Sequence, residues 1–176
     1  MRPLLRVEAL IFNRDKTSIL IQCDTNEEFY RLPGGSIEFG ESAAAAIERE
    51  LVEEYDLQVT AERFAAVNEH IFEVDNKKYH HCTLLYWCTV EEDEQTVRWH
   101  KEHSDIMLKW KGISKLKATP IYPEGVMKII EQDKVKLPSV EGVHPPLMES
   151  SLNLEVGVLL PANSGIKKNL CIGLKK

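Results

Sequence analysis

Apolar and polar positions along the chain change their rhythm at a few clear places. From Leu4 to Phe12 the chain is mostly apolar and β-favouring, with charges only at Arg6 and Glu8. Asn13-Arg14-Asp15-Lys16 has turn chemistry, and Ser18 to Gln22 resumes as a second strand, so the pair reads as a hairpin. DTNEE reads as a solvated loop, and Phe29 to Leu32 as a short strand halted by Pro33-Gly34-Gly35. Ser42 to Tyr55 is a helix: four consecutive alanines favour it, and Ala44, Ile47, Leu51 and Tyr55 form an apolar stripe.

Beyond the helix, Arg63 to Glu73 and Tyr79 to Val90 read as strands joined by a turn at Asp75-Asn76-Lys77. Glu91 to Glu94 reads as a solvated loop and Ile106 to Trp110 as a strand. Pro123 suits the first position of a second helix running to about Glu131. Strands on both sides of one strong helix, with a late second helix, predict a mixed β-sheet flanked by helices in an α/β (α+β type) fold. After about Leu137 the character changes, through VHPPLMESS and LEVGVLLP to the basic end IKKNLCIGLKK. Residues 1–137 therefore read as one domain and 138–176 as a C-terminal tail whose role the sequence does not state.

Composition adds limits rather than chemistry. The chain has 176 residues, 43% of them hydrophobic and 28% charged, enough for one well-packed core. A net charge of −6 argues against sequence-independent nucleic-acid binding, which calls for a basic stripe. No apolar run reaches the ~18 residues of a membrane span, and charges interrupt the N-terminal run, so neither membrane nor signal peptide is expected. Cys23, Cys82, Cys88 and Cys171 form no CxxC pair, which points to reduced thiols in a cytoplasmic protein.

One stretch is harder to place. Glu48 to Glu54 reads ERELVEE, four carboxylates in seven residues, and like charges three or four apart cost a helix roughly 0.2–0.5 kcal/mol per pair. On a helical wheel Glu53 and Glu54 fall about 60° and 40° to either side of Glu50. Glu48 points away, as a solvent residue, while Ala43 and Ala46 share the acid face and would leave room there. Arg49 stands four residues before Glu53 and can pair with it. Three oxygen donors on one wall suit a hard divalent cation, Mg²⁺ in particular; an acidic solvated face is the plain alternative. The preceding LPGGSIEFGE places two glycines after a strand, where backbone can approach a ligand closely. Glu41 and Ser42 also suit a helix start.

From Gly35 the chain reads glycine, five residues, Glu41, seven residues, then R-E-L-V-E-E-Y-D-L. This resembles the Nudix box, G-x5-E-x7-R-E-U-x-E-E-x-G-U, where U is aliphatic. Gly35, Glu41, Arg49, Glu50, Leu51, Glu53, Glu54 and Leu57 match. Asp56 departs, standing where the family has glycine, and Asp tolerates the left-handed conformation better than most residues. FYRLPGG upstream and W-x2-I-x2-L with IYPEG downstream also look like Nudix sequence, so the resemblance spans roughly residues 4–135.

The resemblance implies a Nudix-like α/β/α sandwich and a MutT-like hydrolase that cuts a diphosphate linkage with Mg²⁺ or Mn²⁺. Water would attack phosphorus in a nucleoside diphosphate derivative, a nucleotide sugar such as ADP-ribose or a nucleoside triphosphate. Position by position it makes Glu50, Glu53 and Glu54 metal ligands, with the Gly34 carbonyl as a further one. Arg49 would orient an acid of the helix and Glu41 would support the loop–helix geometry. Glu50 is the first choice as general base, and Glu102 in HKEHSD a candidate extra acid. Arg31 and Phe39 are candidates to touch substrate. Phe72 and Tyr79 could stack on a base or sit in the core, and His80, His81, Cys82 and Cys88 fit no usual zinc spacing. A homodimer is a candidate assembly. The proline that some ADP-ribose hydrolases carry a little after the box is absent, with Ile71-Phe72-Glu73 there instead, so the substrate stays open. A non-catalytic Nudix-like sensor is the alternative, although such modules often lose the box acids.

Overall fold

The computed structural model describes residues 2–91, 97–116, 120–135 and 158–159. In chain order its elements are β1 (Leu4–Ile11), β2 (Ser18–Asp24), β3 (Tyr30–Arg31), β4 (Gly34–Ser36), α1 (Ala43–Tyr55), β5 (Thr60–Val74) and β6 (Lys77–Thr89). There follow β7 (Arg98–Trp99), β8 (Ile106–Gly112), α2 (Ile113–Leu116), β9 (Ile121–Tyr122), α3 (Val126–Val135) and β10 (Val158–Leu159). They form two mixed sheets, β10-β5-β6-β1-β4 and β7-β8-β2-β3-β9. The expected mixed sheet with helices is thus present as two sheets rather than one.

The hairpin expected from β1 and β2 does not form. The turn at Asn13–Lys16 is there, held by Ser18 N–H on Asn13 Oδ1 at 2.8 Å. Yet β1 runs parallel to β6 and antiparallel to β4, while β2 pairs with β8 and β3. Only a Phe12–Ile19 bridge links the two runs. The reason is burial on both strand faces. Val7, Ala9 and Ile11 pack with Ile47, Leu51 and Tyr55 of α1, whereas Leu10 packs with Ile19 and Ile21 and with Val126 and Ile130 of α3. A strand buried on both faces belongs inside a layered fold, so the turn passes the chain from one sheet to the other.

Helix α1 forms where local signals place it. Ser42 is its N-cap, with Oγ accepting from Ala45 N–H at 3.2 Å. Asp56 closes it in the left-handed conformation, φ 53 and ψ 33, with its N–H donating to Val52 O at 3.0 Å and Leu57 N–H to Leu51 O at 3.1 Å. Two details of the expected wheel change. Ala46 is fully buried in the core and Ala43 packs against it, so these small side chains let the helix settle on the sheet. Glu48 is not a bystander in solvent: its Oε1 accepts from Ala61 N–H at 3.0 Å, tying the helix to β5.

Strands β5 and β6 form a long hairpin through Asp75 and Asn76, both at positive φ as a tight two-residue turn requires. Helix α3 begins at Val126, not Pro123, because Gly125 at φ 87 lies outside the helical region. The loop expected at 91–94 lies outside the described residues from 92 onward, as does most of the 138–176 tail. Of that tail, Val158–Leu159 pairs in parallel with Val67 and Asn68 of β5. Among the described residues, no helix is long and apolar enough to cross a membrane.

Candidate active site

Strand β4 brings the glycines against two other elements. Gly34 lies opposite Glu8 of β1 with φ 150, and a β-carbon there would strike Val7 O and Glu8 Cα. A β-carbon on Gly35 would run into the Glu50 carboxylate. Glycine at these positions is a packing requirement, and it seats the loop directly against the acid wall of α1.

Arg49 organises that wall. Its Nη2 donates to Glu41 Oε1 at 2.7 Å and its Nε to Glu41 Oε2 at 3.1 Å. The same guanidinium reaches Ser36 O at 3.1 Å, Glu53 Oε2 at 2.9 Å and Glu50 Oε1 at 3.3 Å. Glu41 also accepts from Glu38 N–H at 2.7 Å. These bonds, Arg49 first, hold the Glu41 carboxyl below its ordinary range, and Glu41 in turn keeps Arg49 charged. The capping expected of Glu41 is therefore directed at the loop and at Arg49, while Ser42 caps the helix.

The three box acids sit in different surroundings. Glu53 is open to solvent, its side chain 58% exposed, whereas Glu50 is 13% and Glu54 20% exposed. Burial pushes the Glu54 carboxyl up to about 7, with Arg31 and Arg6 opposing and Glu50 and Glu102 adding to the rise. Glu54 Oε2 is buried without a hydrogen-bond partner. His100 Nε2 lies 3.4 Å from its other oxygen, Oε1. Among the described residues no three His, Cys, Asp or Glu side chains are already gathered at ligand spacing. Arg49 accounts for this by drawing Glu50 and Glu53 toward itself. An unpartnered buried carboxylate oxygen, a second acid set against Gly35 and a third at the rim fit a small hard cation.

The charge of Arg31 bears on Glu54, and its Nε donates to Gln22 Oε1 at 3.0 Å. Phe39 is fully exposed on the loop before α1. Glu102 is exposed, and its charge bears on Glu54. Phe72 and Tyr79 stack on each other at 5.1 Å, with His70 and His81 against Phe72 at 4.8 and 4.9 Å. His80 pairs with Glu69 at 2.9 Å, and burial raises the Cys88 thiol to about 12. The residues missed from sequence are Arg6, Glu8 and His100. Arg6 and Glu8 are nearly buried on one face of β1, only 9% and 8% exposed, beside Arg31. Two charges at strand spacing inside an apolar run were their available signal; His100 had none.

The described residues thus form a two-sheet sandwich that sets a glycine loop against an acid-walled helix. The profile of the NUDIX domain matches residues 2–127, and the chain belongs to that family. No curated protein matches the sequence significantly. Solved structures share the fold: a MutT protein from Methanosarcina mazei Go1 is 21% identical over 77% of this chain and 98% of its own, with a TM-score of 0.56. An ADP-ribose pyrophosphatase from Streptococcus suis is 18% identical over 76% of this chain and 92% of its own, at 0.53. A UDP-X diphosphatase is 22% identical over 77% of this chain, at 0.54, and the match spans 64% of that longer protein.

Proposed function

We propose that this Nudix pyrophosphohydrolase cleaves the diphosphate linkage of a nucleoside diphosphate derivative with Mg²⁺ or Mn²⁺. The substrate class covers a nucleotide sugar such as ADP-ribose and a nucleoside triphosphate. The observation that carries this reading is Glu54 Oε2, buried and unpartnered, on the same helix face as Glu50 and Glu53. Glu50, Glu53, Glu54 and the Gly34 carbonyl would hold the cation, which would neutralise charge on the diphosphate oxygens and acidify the attacking water.

The remaining work falls to the chain's own groups. Glu50, set against Gly35, is the first choice to take the proton of the attacking water. Arg49, held by Glu41, would keep Glu50 and Glu53 in place against their mutual repulsion. Arg31 and Arg6, whose charges bear on Glu54, would hold phosphate oxygens by charge and by planar hydrogen bonding. The thiols of Cys23, Cys82 and Cys88 are free, in keeping with a reducing, cytoplasmic setting.

The test is a phosphate-release screen over nucleoside triphosphates, ADP-ribose, other nucleotide sugars and dinucleoside polyphosphates with either cation. E53Q and E54Q are expected to lose about 100-fold in turnover, as for disrupted metal shells. Unchanged turnover in both variants would overturn the metal site. Binding of ADP-ribose with no hydrolysis of any substrate would identify a sensor instead.

A further inference from the structure

His100 sits in the short segment between β7 and β8, far along the chain from the box, yet it is only 6% exposed. Its Nδ1 accepts the backbone N–H groups of Glu102 at 3.0 Å and His103 at 3.3 Å. A ring nitrogen that accepts carries no proton, so the neutral imidazole bears its proton on Nε2. That nitrogen is the one 3.4 Å from Glu54 Oε1. The ring has little freedom to turn, with Tyr55 edge-on at 5.2 Å and His103 at 4.6 Å.

The segment carrying His100 is fastened to the end of α1. Lys101 N–H donates to Glu54 O at 2.9 Å, Lys101 Nζ to Val52 O at 3.1 Å, and Arg98 Nη1 to Tyr55 O at 3.1 Å. Lys101 also pairs with Asp56. The last-turn carbonyls, which no residue of the helix can satisfy, thus recruit two cations and place a histidine between them. Its proximity to Glu54 follows from how the helix ends.

We propose that His100 is a positioning residue for the metal site. Its Nε2 lies 3.4 Å from Glu54 Oε1, longer than a formed hydrogen bond, and the N–H dipole there biases the carboxylate plane so that Oε2, which has no protein partner, is presented to a divalent cation. Removing a group that orients a ligand in this way typically costs about 10–100-fold in metal affinity. The inference rests on the reading of Glu54 as a ligand.

The experiment titrates Mn²⁺ into the substrate-free protein and follows free Mn²⁺ by electron paramagnetic resonance, for wild type, E54Q, H100N and H100Q. Asparagine can offer its oxygen where Nδ1 lies, keeping the bonds from Glu102 and His103, but cannot reach Glu54. Glutamine can place an amide N–H near the position of Nε2. H100N is expected to bind Mn²⁺ about 10–100-fold more weakly with a near-native melting temperature, and H100Q to stay within about 3-fold of wild type. Wild-type affinity in H100N, with weakened binding in E54Q, would overturn the role of His100 alone. Wild-type affinity in E54Q would overturn the ligand reading and this inference with it. Nitrogen-15 spectra of the wild-type imidazoles supply a check free of any folding defect in the variants. They should show His100 protonated at Nε2 and perturbed there by Mg²⁺; a proton on Nδ1 would overturn the proposal.

Discussion

Arg49 and Glu41 face each other as a two-point pair, Nη2 on Oε1 at 2.7 Å and Nε on Oε2 at 3.1 Å. The planar fork of arginine is what allows both bonds at once. The same guanidinium still reaches Glu50 and Glu53, so the pair sets where two box acids rest. E41Q should lower turnover and Mn²⁺ affinity about 10–100-fold while the protein stays folded, measured by steady-state kinetics and metal titration. R49K should fare no better, because an ammonium cannot replace the fork.

Glu54 predicts a conflict between stability and activity. Its carboxyl is raised from 4.5 to about 7 in the metal-free fold, so between those values the folded state binds more protons than the unfolded state. Metal-free stability should therefore fall as pH rises from about 4.5 to about 7, by on the order of 1–3 kcal/mol. E54Q should flatten that slope and melt above wild type at pH 8 without metal, even as it loses turnover. Thermal melts in chelator across pH would show it; parallel slopes for both proteins would refute it.

Gly35 predicts a steric effect specific to the site. G35A forces a β-carbon into the Glu50 carboxylate and should depress kcat strongly, with Glu50 displaced. G40A is the control, since its β-carbon would meet nothing, and only φ 92 is strained. It should cost about 1 kcal/mol in denaturant unfolding and leave kcat unchanged.

The αL position of Asp56 predicts an order of stabilities. D56G relieves the left-handed backbone but loses the pair with Lys101, which is worth little because the Asp56 side chain is 73% exposed. It should equal or slightly exceed wild type, whereas D56A should fall about 1 kcal/mol below it. Urea midpoints measured on the same day would rank the three.

Features carried by neighbours in sequence were legible, and those carried by neighbours in space were not. Ser42, the alanine run and Asp56 act within a few residues of one another, and α1 formed where they placed it. The spacing of Gly35, Glu41 and Arg49 was likewise readable, because a strand, a loop and one helix bring them together. The turn at Asn13–Lys16 looks the same whether the next strand pairs back or crosses to another sheet, and only the second buried face of β1 decides. Glu48 was misread because its partner, Ala61, lies beyond the end of the helix. His100 reaches Glu54 only through the docking of Arg98 and Lys101, which no local pattern encodes.

Strand β1 sends Val7, Ala9 and Ile11 into one core and Leu10 into the other. A shared wall of this kind leaves neither half able to melt alone. Opening the layer under α3 strips Leu10 of its neighbours and loosens the strand on which Gly34 and the acid helix rest. The described core should therefore unfold as one cooperative unit, and a destabilising change near α3 should reach the phosphate chemistry without touching any residue that performs it.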